Sequence, residues 1–137
     1  MNIKKWFRKK YIYWKYKHNW NTGKLIILKE DDRQLGLTTM MLKDCFKNDC
    51  VLLVPTETYK KKLAHEIYLR GQLRMIPAIT EKEAYEKYLI SSNDILMGKH
   101  RGKRLKIIVD NYYWNWENMA CLRPYIVNGF LHIDVAA

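Results

Sequence analysis

The chain predicts an α/β protein: a three-layer sandwich around a mostly parallel five-stranded sheet, preceded by a basic aromatic N-terminal helix. Two observations carry this expectation. Five short apolar runs (residues 25–28, 51–54, 75–79, 105–109 and 130–135) alternate with stretches of helical periodicity. Several of the runs are also apolar at successive positions, as parallel strands covered by helices on both faces must be. Strands alternating with helices imply right-handed crossovers between parallel neighbours.

Each element has its own warrant. A first helix is expected over residues 38–47, opening on the hydroxyl pair Thr38 and Thr39. A second, over residues 57–70, places Tyr59, Leu63 and Ile67 on one face and meets Gly71 as a stop. A third begins at Thr80, where Thr80-x-x-Glu83 forms a capping box, and carries Ala84, Tyr88 and Ile95 on its apolar side. A fourth is expected from about Trp116 towards Asn128-Gly129, shortened by Pro124, which lacks the amide proton an inner turn needs. No repeat, low-complexity tract or Pro/Gly-rich linker divides the chain. Residues 1–22 read as a basic aromatic segment and residues 23–137 as one α/β domain.

Composition excludes several classes. With 48% hydrophobic and 13% aromatic residues, the chain is neither disordered nor fibrous. No apolar run reaches the roughly 20 residues of a membrane span, and the N-terminus lacks a signal-peptide core. Cys45, Cys50 and Cys121 are odd in number and without C-x-x-C spacing, which argues against a disulfide framework or a zinc site and for a reducing cytoplasm. His65-Glu66 is not a zincin motif, because Leu69 stands where the second histidine belongs. The net charge is +11, of which +7 falls in residues 1–20, where no acid occurs. Such a balance favours an acidic partner: nucleic acid, an anionic membrane surface or an acidic protein groove.

Residues 25–39, LIILKEDDRQLGLTT, run from an apolar strand through a polar turn to Gly36 and then to Thr38 and Thr39. That frame resembles the Walker A motif, G-x-x-x-x-G-K-S/T. Gly36 takes the place of its second glycine and Thr38 that of the magnesium-ligating hydroxyl, but Leu37 stands at the lysine and Asp31 at the first glycine. Residues 51–67, VLLVPTETYKKKLAHEI, resemble the second-strand segment of helicase and terminase ATPases. LKIIVDN (residues 105–111) resembles a Walker B strand ending in Asp110, and FLHIDVA (residues 130–136) falls where the following strand belongs. Taken in order, these segments resemble a degenerate P-loop NTPase with a RecA-like core, of the kind found in phages and mobile elements.

The resemblance implies nucleotide chemistry that the residues no longer support. The family's lysine contacts the β- and γ-phosphates, and a carboxylate beside the Walker B aspartate orients water. Here these are Leu37 and Asn111, while Asp31 adds a negative charge near the phosphate position. At a few Å and an effective dielectric of about 20, each unit charge counts at roughly 4 kcal/mol. A pseudo-NTPase without catalytic residues, metal or resident cofactor is therefore expected. Weak Mg-nucleotide or phosphate binding stays open at Asp31, Gly36, Leu37, Thr38, Thr39 and Asp110, with free helix amides as the remaining anion donors.

Two basic clusters flank this frame. In the first 20 residues, Ile3, Trp6, Phe7, Tyr11, Tyr13, Trp14 and Trp20 share one broad helical side. Lys4, Lys5, Arg8, Lys9 and Lys15 gather opposite, and Lys10 and Lys17 interrupt the aromatic side. Three readings stay open: a helix on nucleic acid, an interfacial membrane helix, or a helix packed on the sheet by its aromatic side. The second cluster, GKHRGKR, holds Lys99, Arg101, Lys103 and Arg104 and enters the Walker B-like strand from the amino-terminal edge of the sheet. The first cluster enters its strand from that edge too, so the two are expected to converge. After Asp110, Tyr112, Tyr113, Trp114 and Trp116 form an aromatic run suited to a protein interface or to filling the phosphate site.

The leading expectation is a non-catalytic protein that engages nucleic acid or a nucleoprotein complex through Lys4, Lys5, Arg8, Lys9, Lys99, Arg101, Lys103 and Arg104. The alternatives are an inhibitor or adaptor of a host complex acting through Tyr112 to Trp116, and a residual ATPase that borrows a cation from Arg33 or from a partner.

Overall fold

The computed structural model describes residues 3–28, 32, 36–99, 105–111 and 120–132. The chain forms a five-stranded, all-parallel sheet with helices, an α/β architecture. Its strands are β1 (Ile26–Leu28), β2 (Val51–Val54), β3 (Leu89–Ser91), β4 (Ile107–Asn111) and β5 (Ile126–His132), and they lie side by side in the order β1-β5-β4-β2-β3. Both outer strands are three residues long.

The first helix, α1 (Ile3–His18), precedes the sheet; it contains neither Gly nor Pro, and Ile12 and Tyr16, four apart, turn one stripe inward. Helix α2 (Leu37–Asn48) follows β1. Helix α3 (Glu57–Gln72) follows β2, with the Thr56 side chain accepting from the Tyr59 N–H at 3.1 Å and Glu57 in the first turn, where an acid suits the helix dipole. These helices share one face of the sheet. There Ile12, Tyr16, Met41, Leu42, Leu63 and Ile67 pack on Ile26, Leu28, Leu52, Leu89, Ile108 and Phe130. The opposite face is smaller. Leu53, Ile90, Ile107 and Val109 are covered by Ile95 of the short α5 (Ser92–Leu96) and by Leu122 of a 3-10 turn over Ala120–Tyr125.

Four expectations are corrected. Residues 75–79 are not a strand. Gly71, expected to stop α3, is a buried residue inside it: a Cβ there would lie 3.0 Å from the Ala78 Cα and 3.2 Å from the Pro77 carbonyl. The chain thus crosses close over the helix, and Pro77 has no N–H to offer a ladder. Secondly, the helix expected from Thr80 ends early. The Thr80 side chain does accept from the Glu83 N–H at 3.0 Å, but only α4 (Glu81–Glu83) and a π-turn over Ala84–Tyr88 follow. Leu89–Ser91 then pairs with β2 as the third strand. The stop is local: Ser91 and Asp94 form a reciprocal capping box that opens α5.

Thirdly, the helix expected to reach residue 128 is replaced by the 3-10 turn, and residues 126–129 already belong to β5. The register slips by one residue between Ile107 and Ile108, so Ile107 faces Ile126 while Ile108 faces Asn128. Gly129 follows at φ +148°, pressed so closely on β4 that a Cβ would stand 2.4 Å from the Val109 carbonyl. Finally, α1 packs by only part of its aromatic side, with Tyr13 and Trp20 against the core. Ile3, Trp6, Phe7, Tyr11 and Trp14 are exposed, and Ile12, Tyr16 and Asn19 face inward.

Helix α1 is fastened at both ends. Near its C-terminus, buried Asn128 donates through Nδ2 to the Tyr16 carbonyl at 2.7 Å, satisfying an acceptor the helix end leaves open. The Asn21 N–H donates to the Val127 carbonyl at 2.8 Å, and the Tyr16 ring stacks on Phe130 with centroids 5.4 Å apart. Near its N-terminus, Arg8 grips Asp32 through Nε at 2.9 Å and Nη2 at 3.0 Å.

Candidate functional site

The turn between β1 and α2 is where the Walker A resemblance places a phosphate. Gly36 is left-handed at φ +74° and caps α2 without a side-chain hydrogen bond. Leu37, at the lysine position, is buried in the core. Thr38 and Thr39 are half-buried, and Thr39 Oγ1 accepts from Arg70 Nη1 at 3.1 Å. Asp31 and Arg33 lie outside the described residues. The adjoining Asp32 is buried, and its carboxylate is held bidentately by Arg8, whose guanidinium pKa this pairing raises. Arg8 thus ties α1 to the turn. The Tyr13 hydroxyl comes within 3.2 Å of where a Cβ on Gly36 would sit, so α1 lies directly against the turn.

Asp110 stands near the carboxyl end of β4, in register with Phe130 of β5 and through it with Ile26 of β1, about 10 Å away across two strand spacings. It is 5% exposed, and burial pushes its pKa up to about 6. Around this turn Leu37 is turned into the core, Arg8 is paired with Asp32, and burial disfavours the ionised form of Asp110. Among the described residues, no group of three His, Cys, Asp or Glu side chains could hold a metal ion, and no helix is long and apolar enough to cross a membrane.

The outer face of α1 is different in character. Seven Lys or Arg and no acid occur between Ile3 and His18. Trp14 is 61% and Phe7 60% exposed, and Trp6 and Tyr11 are nearly half exposed. The rings order one another in solvent: Trp14 lies stacked on His18 at 5.2 Å, and Trp6 meets Phe7 edge-on at 5.0 Å. The Lys10 ammonium stands 5.4 Å from the Trp6 ring and the Lys15 ammonium 5.6 Å from the Tyr11 ring, so cations and rings interleave on one surface. Lys4 is exposed, and Lys5 and Lys9 are half-buried, Lys9 over the Tyr13 ring at 5.4 Å.

The second basic cluster does not join this face through its described member. Lys99 pairs with Asp94 at 3.3 Å beside β3, at the end of the sheet opposite β1. Arg101, Lys103, Arg104, Tyr112, Tyr113, Trp114 and Trp116 lie outside the described residues.

A buried polar cluster near β3 has no counterpart in the sequence reading. Lys60 Nζ donates to Asp94 Oδ2 at 2.8 Å and sits 3.9 Å from the Tyr85 ring centre. Asp94 Oδ2 also accepts from the Ser91 N–H at 2.9 Å, while Tyr85 and Ser91 both donate to Glu57. Burial opposes ionisation of Asp94, yet Lys60 and the Ser91 amide hold its pKa down at about 2. The cluster borders a cavity of about 520 Å³ and ties α3, β3 and α5 together, while the buried Asp94 Oδ1 has no hydrogen bond and faces the Lys99 ammonium at 3.3 Å. One local signal was present: Ser91-x-x-Asp94 has capping-box spacing.

No family model, curated protein or solved structure matches this chain.

Proposed function

We propose that the protein is a non-catalytic binder of nucleic acid or nucleoprotein that uses the outer face of α1. The single observation that carries this reading is the exposure of Trp6, Phe7, Tyr11 and Trp14 among lysines on a helix with no acid. The helix has no need of these rings to dock, because Ile12, Tyr16 and the Arg8–Asp32 pair already hold it. A contiguous exposed apolar surface of this kind marks an interaction site. The charge selects a polyanion, and the interleaving selects a nucleic acid over a membrane. Lys10 stands four residues from both Trp6 and Trp14, so burying the rings in lipid would drag its ammonium in with them. A nucleic acid alternates phosphates with flat bases and satisfies both groups at once. On this reading the α/β body is a P-loop-like scaffold whose former phosphate turn now serves as the anchor of α1.

The test is fluorescence anisotropy with a labelled 20-nucleotide single strand between 50 and 200 mM salt. Exposed Lys4, Lys10 and Lys17 with half-buried Lys15 give an expected log–log salt slope of about −3. Trp14→Ala with Phe7→Ala should weaken binding at least tenfold, at about 1–3 kcal/mol per stacked base, with the thermal unfolding curve unchanged. Affinity indifferent to salt, or capture by anionic vesicles without capture of the strand, would overturn the reading.

A further inference from the structure

The outer face of α1 has a definite layout. At about 100° per residue, Ile3, Phe7, Tyr11, Trp14 and His18 fall within about 80° of one another and make one stripe along the whole helix. All five are exposed. Lys10 and Lys17 run along one margin of the stripe, and Lys4 and the half-buried Lys15 along the other. The rings are ordered before anything binds. The Tyr11 and Trp14 centroids are 6.5 Å apart, Trp14 lies flat on His18, and the Lys15 ammonium donates to the Tyr11 hydroxyl at 3.3 Å. Rings held in advance lose little freedom when a ligand settles on them.

The two forms of nucleic acid offer this surface opposite chemistry. A duplex hides the faces of its bases and turns outward its phosphates and its groove floors, where every base pair carries hydrogen-bonding groups. A ring stripe pressed into a groove would cover those groups without pairing them. Asn, Gln, Ser, Thr, Asp and Glu are all absent between Ile3 and His18, so the side chains that usually read base edges are missing. The one arginine, Arg8, turns its bidentate edge to Asp32, and the lysines stand at the margins of the stripe rather than on it. A single strand presents the base faces themselves, flat and apolar, with phosphates alongside for the lysines. A base laid on a ring gains about as much as a groove group left unpaired loses, so the same stripe favours one form and opposes the other.

We infer that α1 selects single-stranded over double-stranded nucleic acid without reading its sequence, with Phe7, Tyr11 and Trp14 on base faces and the marginal lysines on phosphates. This selectivity rests on the function proposed above and narrows its ligand. The lysines give affinity for either form, whereas the rings make the choice between them.

The experiment measures fluorescence anisotropy of the full chain with a labelled 20-nucleotide single strand and with the same strand annealed to its complement, at one salt concentration. The single strand should bind at least tenfold more tightly. A duplex bound as tightly as the strand, or more so, overturns the selectivity and leaves nucleic-acid binding standing. A chain that binds neither form removes both. Phe7→Ala with Trp14→Ala alters only exposed side chains and should weaken the single strand at least tenfold and the duplex less than about twofold. Equal losses on the two forms would show that the rings do not make the choice and would overturn the inference. A second single strand of unrelated, unpaired sequence should bind within about threefold of the first. A preference beyond tenfold would overturn the sequence independence.

Discussion

Replacing Asp110 by asparagine should stabilise the protein at pH 8 and change little at pH 3.5. The carboxyl is 5% exposed, and burial lifts its pKa from the ordinary 3.8 to about 6. A raised acid pKa means that the folded state holds its proton more tightly than the unfolded chain does. Stability from this group is therefore fully present below about pH 4 and is lost as pH rises through 6. At about 1.4 kcal/mol per pKa unit, ionising Asp110 in place costs about 3 kcal/mol once the pH is well above 6. Asparagine matches the side chain in shape and cannot ionise. Thermal unfolding of both proteins, followed by circular dichroism from pH 3.5 to 8, should show a melting-temperature difference near zero at the acid end. It should grow to roughly 10 °C at pH 8, at about 4 °C per kcal/mol for a chain of this size. A flat difference would refute the desolvation argument. A variant less stable at pH 8 would show that the carboxylate is held ionised by a cation or donor, which would reopen the Walker B reading.

Four further outcomes follow from the packing. Lys60→Met removes the nearer cation of the buried Asp94 carboxylate, leaving it Lys99 at 3.3 Å and the Ser91 N–H, and should cost about 3 kcal/mol in urea unfolding at pH 7. In the unmodified protein the depressed Asp94 pKa predicts about 2 kcal/mol of stability that is present above pH 4 and lost as pH falls towards 2, read as a drop in urea midpoint over that window. Gly129→Ala should abolish folding or lower the melting temperature by more than 10 °C, since its Cβ would meet the Val109 backbone at 2.4 Å and φ +148° disfavours any side chain. Asn128→Ala should cost about 1–3 kcal/mol by leaving the Tyr16 carbonyl without its donor, and amide exchange should quicken first in the last turn of α1.

The elements legible in the sequence were those whose signals are local. Residues 51–54 are an apolar run ending at Pro55, and Thr56 with Glu57 announces a helix start, so β2 and α3 fell where expected. The third strand was hidden because Leu89–Ser91 is too short to show a period and follows directly on the helix-favouring run from Glu81 to Tyr88. Residues 75–79 looked like a strand by apolarity alone. Only the approach of Pro77 and Ala78 to Gly71 shows why they cross a helix instead. In α1, periodicity separates the aromatic side from the rest but does not say which side the sheet receives. Ile12, Tyr16 and an arginine pairing 24 residues away decide that. The Lys60–Asp94 pair, 34 residues apart, was equally invisible, because isolated charges in a helical pattern read as solvated.

The strand order carries a consequence for how the protein is made. Among the described residues β1 pairs only with β5, so Ile26 waits for Phe130, some hundred residues later in synthesis. The Asn128 amide, the Val127 carbonyl and the Phe130 ring that receive α1 come from the same late strand. During translation β2, β3 and β4 can assemble among themselves while the aromatic N-terminal helix still has no sheet to lie on. Long-range closure of this kind is slow, and the surface it leaves open is adhesive until the end. The rings proposed to recognise a nucleic acid are thus set on their scaffold as one of the last events of folding. A nascent chain arrested before β5 should be the form in which they stick indiscriminately.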